Sequence, residues 1–208
     1  MVDVYTIGHS NHSIDRFLGL LERGGINAIA DVRSVPFSRR MPHFSRPALK
    51  EALKAAGIAY VFLGDELGAR PQDRSCYRDG TADYELIART DLFQRGLDRV
   101  IAGAHGYRIA LMCAEKEPLD CHRTILVARH LKQRGVDIRH ILFDGRIEPH
   151  ETTERRLLAQ TNGGHSDLFA APGYATDPLD AAYRKRGLEI AYSEEIESVS
   201  TQSGAADA

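Results

Sequence analysis

The chain has 208 residues and a mass of 23.1 kDa, room for one good-sized domain with a tail or for two small ones. Its 43% hydrophobic and 27% charged residues make a globular composition, and 27 basic against 29 acidic residues give a net charge of −2. That balance excludes a polycationic tail binder and a highly acidic disordered protein.

No apolar run reaches the roughly 18 residues of a membrane span. The opening Met1-Val2-Asp3-Val4-Tyr5 lacks the basic start and apolar stretch of a signal peptide. Three cysteines are too few, and odd in number, for a secreted disulfide framework. A cytoplasmic protein with no membrane partner is therefore expected. The charge is unevenly spread. Residues 151–208 hold five basic and ten acidic residues, and residues 1–150 hold 22 basic and 19 acidic. The body is mildly basic, and residues 31–50 carry five basic residues against Asp31 alone.

In chain order, Val2 to Ile7 reads as a strand. Ser13 caps a helix in which Ile14, Phe17, Leu18 and Leu21 fall at helical spacing, and Gly24-Gly25 stop it. Ala28 to Val32 is a second strand, followed by a loop over 34–46. Pro47 suits a first helical turn, and that helix runs to about Gly57. Ile58 to Leu63 is a third strand, and 64–80 reads as a long loop rich in Gly, Asp and Arg. Helical pattern returns from Ala82 to Ala104, with a break near Thr90. Arg108 to Met112 is a fourth strand, 122–134 a helix ended by Gly135, and Ile138 to Phe143 a fifth strand closed by Asp144-Gly145. His150 to Ala159 is a last helix.

Strands alternating with helices imply an α/β fold: an open, mostly parallel sheet of about five strands, with right-handed crossovers placing helices on both faces. Residues 1–160 form this domain. Residues 161–208 read as an acidic C-terminal extension, partly ordered or flexible. Gly163-Gly164, Pro172-Gly173 and Ser203 to Ala206 suggest loop or disorder. Between them Asp177-Pro178 opens a short helix that Gly187 closes, and Leu188 to Tyr192 reads as a strand.

Ligands of open α/β sheets bind beyond the carboxyl ends of the strands. The first strand runs into His9-Ser10-Asn11-His12, the second ends in Asp31-Val32-Arg33, the third in Gly64-Asp65-Glu66, the fourth in Cys113-Ala114-Glu115 and the fifth in Asp144. Each expected strand thus delivers a reactive or charged group at one edge. The richest segment runs from Leu111 to Arg123. In it a strand leads into Cys113, a polar loop follows, and a helix begins near Cys121. A helix start offers free N–H groups and about half a positive charge, which favours anions and lowers the pKa of a thiol there.

Side chains alternate along a strand, so Asp31 and Arg33 point the same way. Arg39 to Arg46 joins cations to Phe44, a combination suited to phosphate contact and stacking. These residues point to an anion site holding a phosphorylated small molecule, a nucleotide or a nucleic-acid end. Arg33, Arg123 and Arg39 hold the anion, and Ser10, Ser38 and His122 add contacts. Cys121 or Cys113 supplies a thiol nucleophile, and His9, Asp31 or Glu115 transfers a proton. Tyr77 to Gly80 and Glu66 lie in the long loop, a candidate lid.

Two alternatives stand beside this. One is a nucleic-acid-binding module without turnover, built on residues 33–46. The other is a metal-dependent site using Cys76, Cys113, Cys121 and His122, although no CxxC pair is present. Neither GxxxxGK[ST] nor GxGxxG occurs, which disfavours a Walker-type NTPase or a standard dinucleotide binder and leaves the cofactor open.

Taken together, Thr6-Ile7-Gly8-His9-Ser10, Asp31-Val32-Arg33 with Pro36 and Ser38, and Cys113-Ala114-Glu115 followed by Cys121-His122-Arg123 resemble the DUF488 family over residues 3–158. The resemblance implies a compact α/β domain in a cytoplasmic bacterial protein and assigns no reaction. The Asp-Val-Arg strand and the Cys-bearing loop before a helix are also similar to rhodanese-like sulfurtransferases and Cys-based phosphatases. In those a short loop wraps one anion between Cys and a following Arg, whereas Cys113 and Arg123 are ten residues apart.

Overall fold

Strand β1 (Asp3–Gly8) is buried from Val4 onward and forms the middle of the sheet. It is seen in a computed structural model that describes residues 2–161 and 177–194. Its side chains alternate between two apolar layers. Val4 joins the core on one face, and Tyr5 and Ile7 join the core on the other. Such a strand needs cover on both sides, and the helices supply it.

Helix α1 (Ile14–Arg23) starts at Ser13, whose hydroxyl accepts the Arg16 N–H at 3.2 Å. It buries Phe17, Leu20 and Leu21 on the Tyr5 side. Strand β2 (Ala28–Asp31) follows, then a 3-10 turn at Pro42–Phe44 and helix α2 (Arg46–Ala55), which buries Leu49 and Leu53 in the same layer. Full burial of side chains like these stabilises by roughly 1.5–3 kcal/mol each. Strand β3 (Ala59–Phe62) closes this edge of the sheet.

The expected loop over 64–80 is more ordered than its composition suggests. It holds helix α3 (Gly64–Leu67), a 3-10 turn at Arg74–Cys76 and strand β4 (Tyr77–Arg78), which pairs with β5 (Thr81–Ala82) as a small hairpin. Polar composition marked the surface here and hid the short elements. The helical stretch expected to break near Thr90 is helices α4 (Tyr84–Ala88) and α5 (Asp91–Ala104), with Thr90 capping the second through a bond from Phe93 N–H.

Strand β6 (Ile109–Cys113) is wholly buried and inserts between β1 and β2. The next helix begins as a π-helical segment, Arg123–Ala128, and tightens into α6 (Arg129–Gln133). Strand β7 (Asp137–Ile141) lies on the other side of β1. Beyond the Asp144-Gly145 turn, β8 (Ile147–Pro149) adds an antiparallel edge strand that the sequence pattern did not reveal. Helix α7 (His150–Gln160) follows. The sheet order is β3-β2-β6-β1-β7-β8, parallel except for its last pair. The mostly parallel α/β sheet expected from the sequence is present.

Helix α8 (Pro178–Ile190) corrects the expectation for the extension. Gly187 does not end it, and Leu188 to Tyr192 is not a strand. A methyl group on Gly187 would stand 3.3 Å from the Tyr84 ring, so its small size serves packing. After the helix, Ala82 N–H donates to Tyr192 O at 2.9 Å, and Ser193 makes one isolated bridge to Thr81. Gly163-Gly164, Pro172-Gly173 and Ser203 to Ala206 lie outside the described residues. Among the described residues no helix is long and apolar enough to cross a membrane.

Candidate functional site

Register places Gly8 of β1 beside Cys113 of β6, and Asp31 of β2 beside Met112. Three neighbouring parallel strands therefore release their chains at one edge. The exits are laced together: His9 N–H donates to Cys113 O at 2.9 Å, Ser10 N–H to Ala114 O at 2.8 Å and Val32 N–H to Met112 O at 3.1 Å. Gly8 permits this approach, because a methyl group there would overlap the Glu115 carbonyl. Ser10 takes φ 47°, uncommon for a residue with a side chain.

Beyond Cys113 the chain makes a 3-10 turn at Pro118–Asp120 and reaches Cys121 in an extended conformation, φ −138° and ψ 138°. This is the backbone of a helix cap. The Cys121 carbonyl accepts the Thr124 and Ile125 N–H groups, and its sulfur accepts the Arg123 N–H at 3.4 Å. Cys121 Sγ also lies 2.8 Å from Glu115 Oε2, to which it donates. His122 Nε2 donates to the Val32 carbonyl at 3.0 Å, so its Nδ1 carries the lone pair. That Nδ1 stands 3.7 Å from Cys113 Sγ and 3.9 Å from Cys121 Sγ.

Burial pushes a thiol pKa up. Cys113 follows that rule and is held well above the usual thiol range by burial, with Cys121 and Glu115 adding to the effect. Cys121 goes the other way. Burial opposes its ionisation, but the Cys113 hydrogen bond, the Arg123 charge and His122 outweigh burial and hold it well below the usual range. Burial, then Cys121, raises Glu115. Burial pulls His122 down, but Cys121 and Glu115 together raise it. The surroundings thus favour the neutral thiol at Cys113 and the ionised sulfur at Cys121.

Asp31 and Arg33 point the same way, as the strand period requires. Arg33 Nε donates to Asp31 Oδ1 at 2.9 Å and Nη2 to Oδ2 at 2.7 Å, and Tyr60 donates to the same carboxylate at 2.8 Å. His9 is stacked on Phe44, with ring centroids 4.3 Å apart. Its Nδ1 donates to Ser10 O, which leaves Nε2 to accept from Arg33 Nη1 at 3.3 Å. Burial lowers the His9 pKa to about 4; the bond to the Ser10 carbonyl works against this and the Arg33 charge works with it.

These groups surround a cavity of about 450 Å³. His9, Arg33, Ser38, Cys113, Glu115, Cys121 and His122 line it; Ser10, Asp31, Arg39 and Arg123 do not. Ser10 bonds its hydroxyl to Asn11, and Arg39 is exposed on the loop. Arg123 is 0% exposed, and its Nη1 donates to the Glu115 carbonyl at 2.8 Å. It holds the loop that carries Glu115 and cannot touch a ligand directly.

All five parallel strands end at the common edge, but the groups after two of them do not line the cavity. Glu66 after β3 pairs with Arg99, and Asp144 after β7 pairs with Arg146 on the surface. Tyr77 to Gly80 also lies away from the cavity. Ala69 and Arg70 of the same loop do line it, as do Tyr84, Ile190 and Tyr192, which sequence reasoning missed. Tyr84 comes from α4, Ile190 ends α8 and Tyr192 follows it, and no local motif joins them to the cysteines.

The DUF488 family model, described as a domain of unknown function, matches residues 13–130, more than half of the chain. The chain belongs to the DUF488 family. No curated protein and no solved structure matches it. The DUF488 match takes in Asp31, Arg33 and the whole segment from Cys113 to Arg123, and stops within the helix that follows. His9 and Ser10 fall before it. In this DUF488 protein Cys113, Cys121 and His122 also bring three metal-ligand-type atoms within 4.8 Å of one another. Cys76 is buried in the core and is not part of that group.

Proposed function

We propose that the cavity is the active site of a thiol-dependent enzyme acting on an anionic substrate, a phosphorylated small molecule, nucleotide or nucleic-acid end. The observation that carries this reading is Cys121. Its sulfur caps a helix start, meets a carboxyl oxygen at 2.8 Å and lines a cavity large enough for a small molecule. Cys121 passes its proton to Glu115 and attacks the electrophilic atom of the substrate. A bond from sulfur to that atom forms as the bond to the leaving group breaks, and Glu115 returns the proton to the leaving group. Arg123 is a positioning residue, holding the Glu115 backbone. Arg33 and Arg70 on the lining support the anionic preference.

The test uses two alkylating probes that differ in charge. The rate of Cys121 modification by iodoacetate, divided by that by iodoacetamide, is expected to exceed the ratio for free cysteine and to fall with added salt. A ratio below that of free cysteine would remove the anionic substrate. A non-catalytic nucleic-acid module would instead bind oligonucleotide with a steep salt dependence in both the parent and Cys121→Ala, with no covalent adduct in either.

A further inference from the structure

The mechanism leaves Cys113 and the His122 lone pair unused, although both face the same point as Cys121. A tetrahedral Zn²⁺ with bonds of about 2.3 Å to sulfur and about 2.0–2.1 Å to nitrogen sets its ligands about 3.6–3.8 Å apart. Here Nδ1 of His122 lies 3.7 Å and 3.9 Å from the two sulfurs, and all three atoms fall within 4.8 Å of one another. The bond from His122 Nε2 to Val32 O fixes the ring so that Nδ1 offers its lone pair, the outer support that metal-binding imidazoles use. Two soft sulfurs and one imidazole select zinc over magnesium or calcium. The three residues lie on the cavity wall beside Glu115, so a fourth position is open to a carboxylate or a cavity ligand.

We propose that Cys113 Sγ, Cys121 Sγ and His122 Nδ1 form a site for one Zn²⁺ ion, and that zinc switches off the thiol by occupying it. Binding forms two Zn–S bonds and one Zn–N bond. Each thiol proton still present is released to solvent as its Zn–S bond forms. The binding half stands on ligand geometry. The switching half rests on the reading of Cys121 as the nucleophile.

The experiment uses the full chain stripped with a chelator and then titrated with Zn²⁺, read by competition with a chromophoric chelator and by iodoacetamide labelling of Cys121. One zinc per chain is expected, with labelling slowed in proportion to occupancy. Cadmium is expected to give the thiolate charge-transfer absorption in the unmutated protein, a readout that needs no variant. Cys76→Ala retains the stoichiometry, whereas Cys113→Ser and His122→Ala, with folding checked by circular dichroism, weaken binding by about tenfold or more. No bound metal and no cadmium–thiolate band, or equal affinity in folded Cys113→Ser and His122→Ala, would overturn the site. Zinc bound through these residues with labelling unchanged would overturn the switch. Slow labelling of the zinc-free protein would instead remove the thiol-enzyme reading, and stoichiometry would still decide the metal site.

Discussion

Glu115 meets Cys121 directly and again through a neighbour: its carboxyl oxygen lies 2.8 Å from the sulfur, and its carbonyl is held at 2.8 Å by Arg123, the second residue after that cysteine. The loop that carries Glu115 and the helix start at Cys121 are thus fixed to each other through one buried guanidinium.

Arg123 should therefore matter without touching a ligand. Replacing it with Ala removes charged hydrogen bonds to backbone carbonyls, worth about 1.5–3 kcal/mol each, and leaves a void. We expect Arg123→Ala to unfold at markedly lower denaturant. Arg123→Lys should recover only part of the loss, because one ammonium cannot span the Glu115 and Lys116 carbonyls as a planar fork does. Equal denaturation midpoints for the parent and Arg123→Ala would contradict this.

The Asp31–Arg33 pair makes a second prediction. Its side chains are 0% and 5% exposed. Removing one member of a buried pair leaves an uncompensated charge, at a cost of about 3–5 kcal/mol. Arg33→Gln is expected to lose that much in urea unfolding, and the double variant Asp31→Asn/Arg33→Gln to lose less than the sum of the singles. Additive losses would show that the two groups act independently.

Stability should also depend on pH through a buried relay on the other face of the sheet. Thr6 donates to His140, His140 to His150, His150 to the Tyr183 hydroxyl, and Tyr183 to Glu154, over bonds of 2.8 to 3.1 Å. This chain works only with both imidazoles neutral. Burial lowers His140 well below the usual histidine range and takes His150 from 6.5 to about 4. Between those two values the unfolded chain binds protons that the folded chain does not, so stability falls as pH drops. For His150 alone the loss reaches about 3 kcal/mol near pH 4. His150→Gln should be less stable at pH 7 and show a shallower pH slope. A slope identical to the parent's would exclude His150 as the titrating group.

Gly8 gives a test of close packing. A methyl group there would overlap the Glu115 carbonyl oxygen, so Gly8→Ala must push two strand exits apart. Overpacking of this kind costs about 1–3 kcal/mol. We expect reduced stability together with slower Cys121 labelling, because the same shift displaces Glu115. Gly19→Ala, where a methyl group meets nothing within 4 Å, is the control and should leave labelling unchanged.

Much of the site was legible because its parts are local or lie on neighbouring strands. Cys113, Glu115, Cys121 and His122 belong to one thirteen-residue segment from Leu111 to Arg123. His9 and Arg33 join them because β6 lies between β1 and β2. Side-chain direction was less legible. Nothing in the order Cys-His-Arg shows that His122 faces the cavity while Arg123 turns inward, since that depends on the π-helical start and on the Glu115 carbonyl. Tyr84, Ile190 and Tyr192 were invisible for another reason. They reach the cavity through packing of α8 on α4 and α7, an arrangement that leaves no spacing pattern in the chain. The short elements of 64–80 escaped because each is only two to four residues long, below the length at which periodicity can be read.

The most direct test is a site-resolved labelling experiment on chelator-treated protein. After brief exposure to iodoacetamide at neutral pH, peptide mass spectrometry reports the modified fraction of Cys76, Cys113 and Cys121 separately. We predict that Cys121 is modified first and faster than free cysteine, with Cys113 and Cys76 following only when the protein unfolds. Modification of Cys121 no earlier than Cys76 would contradict the assignment of a nucleophile to this cavity.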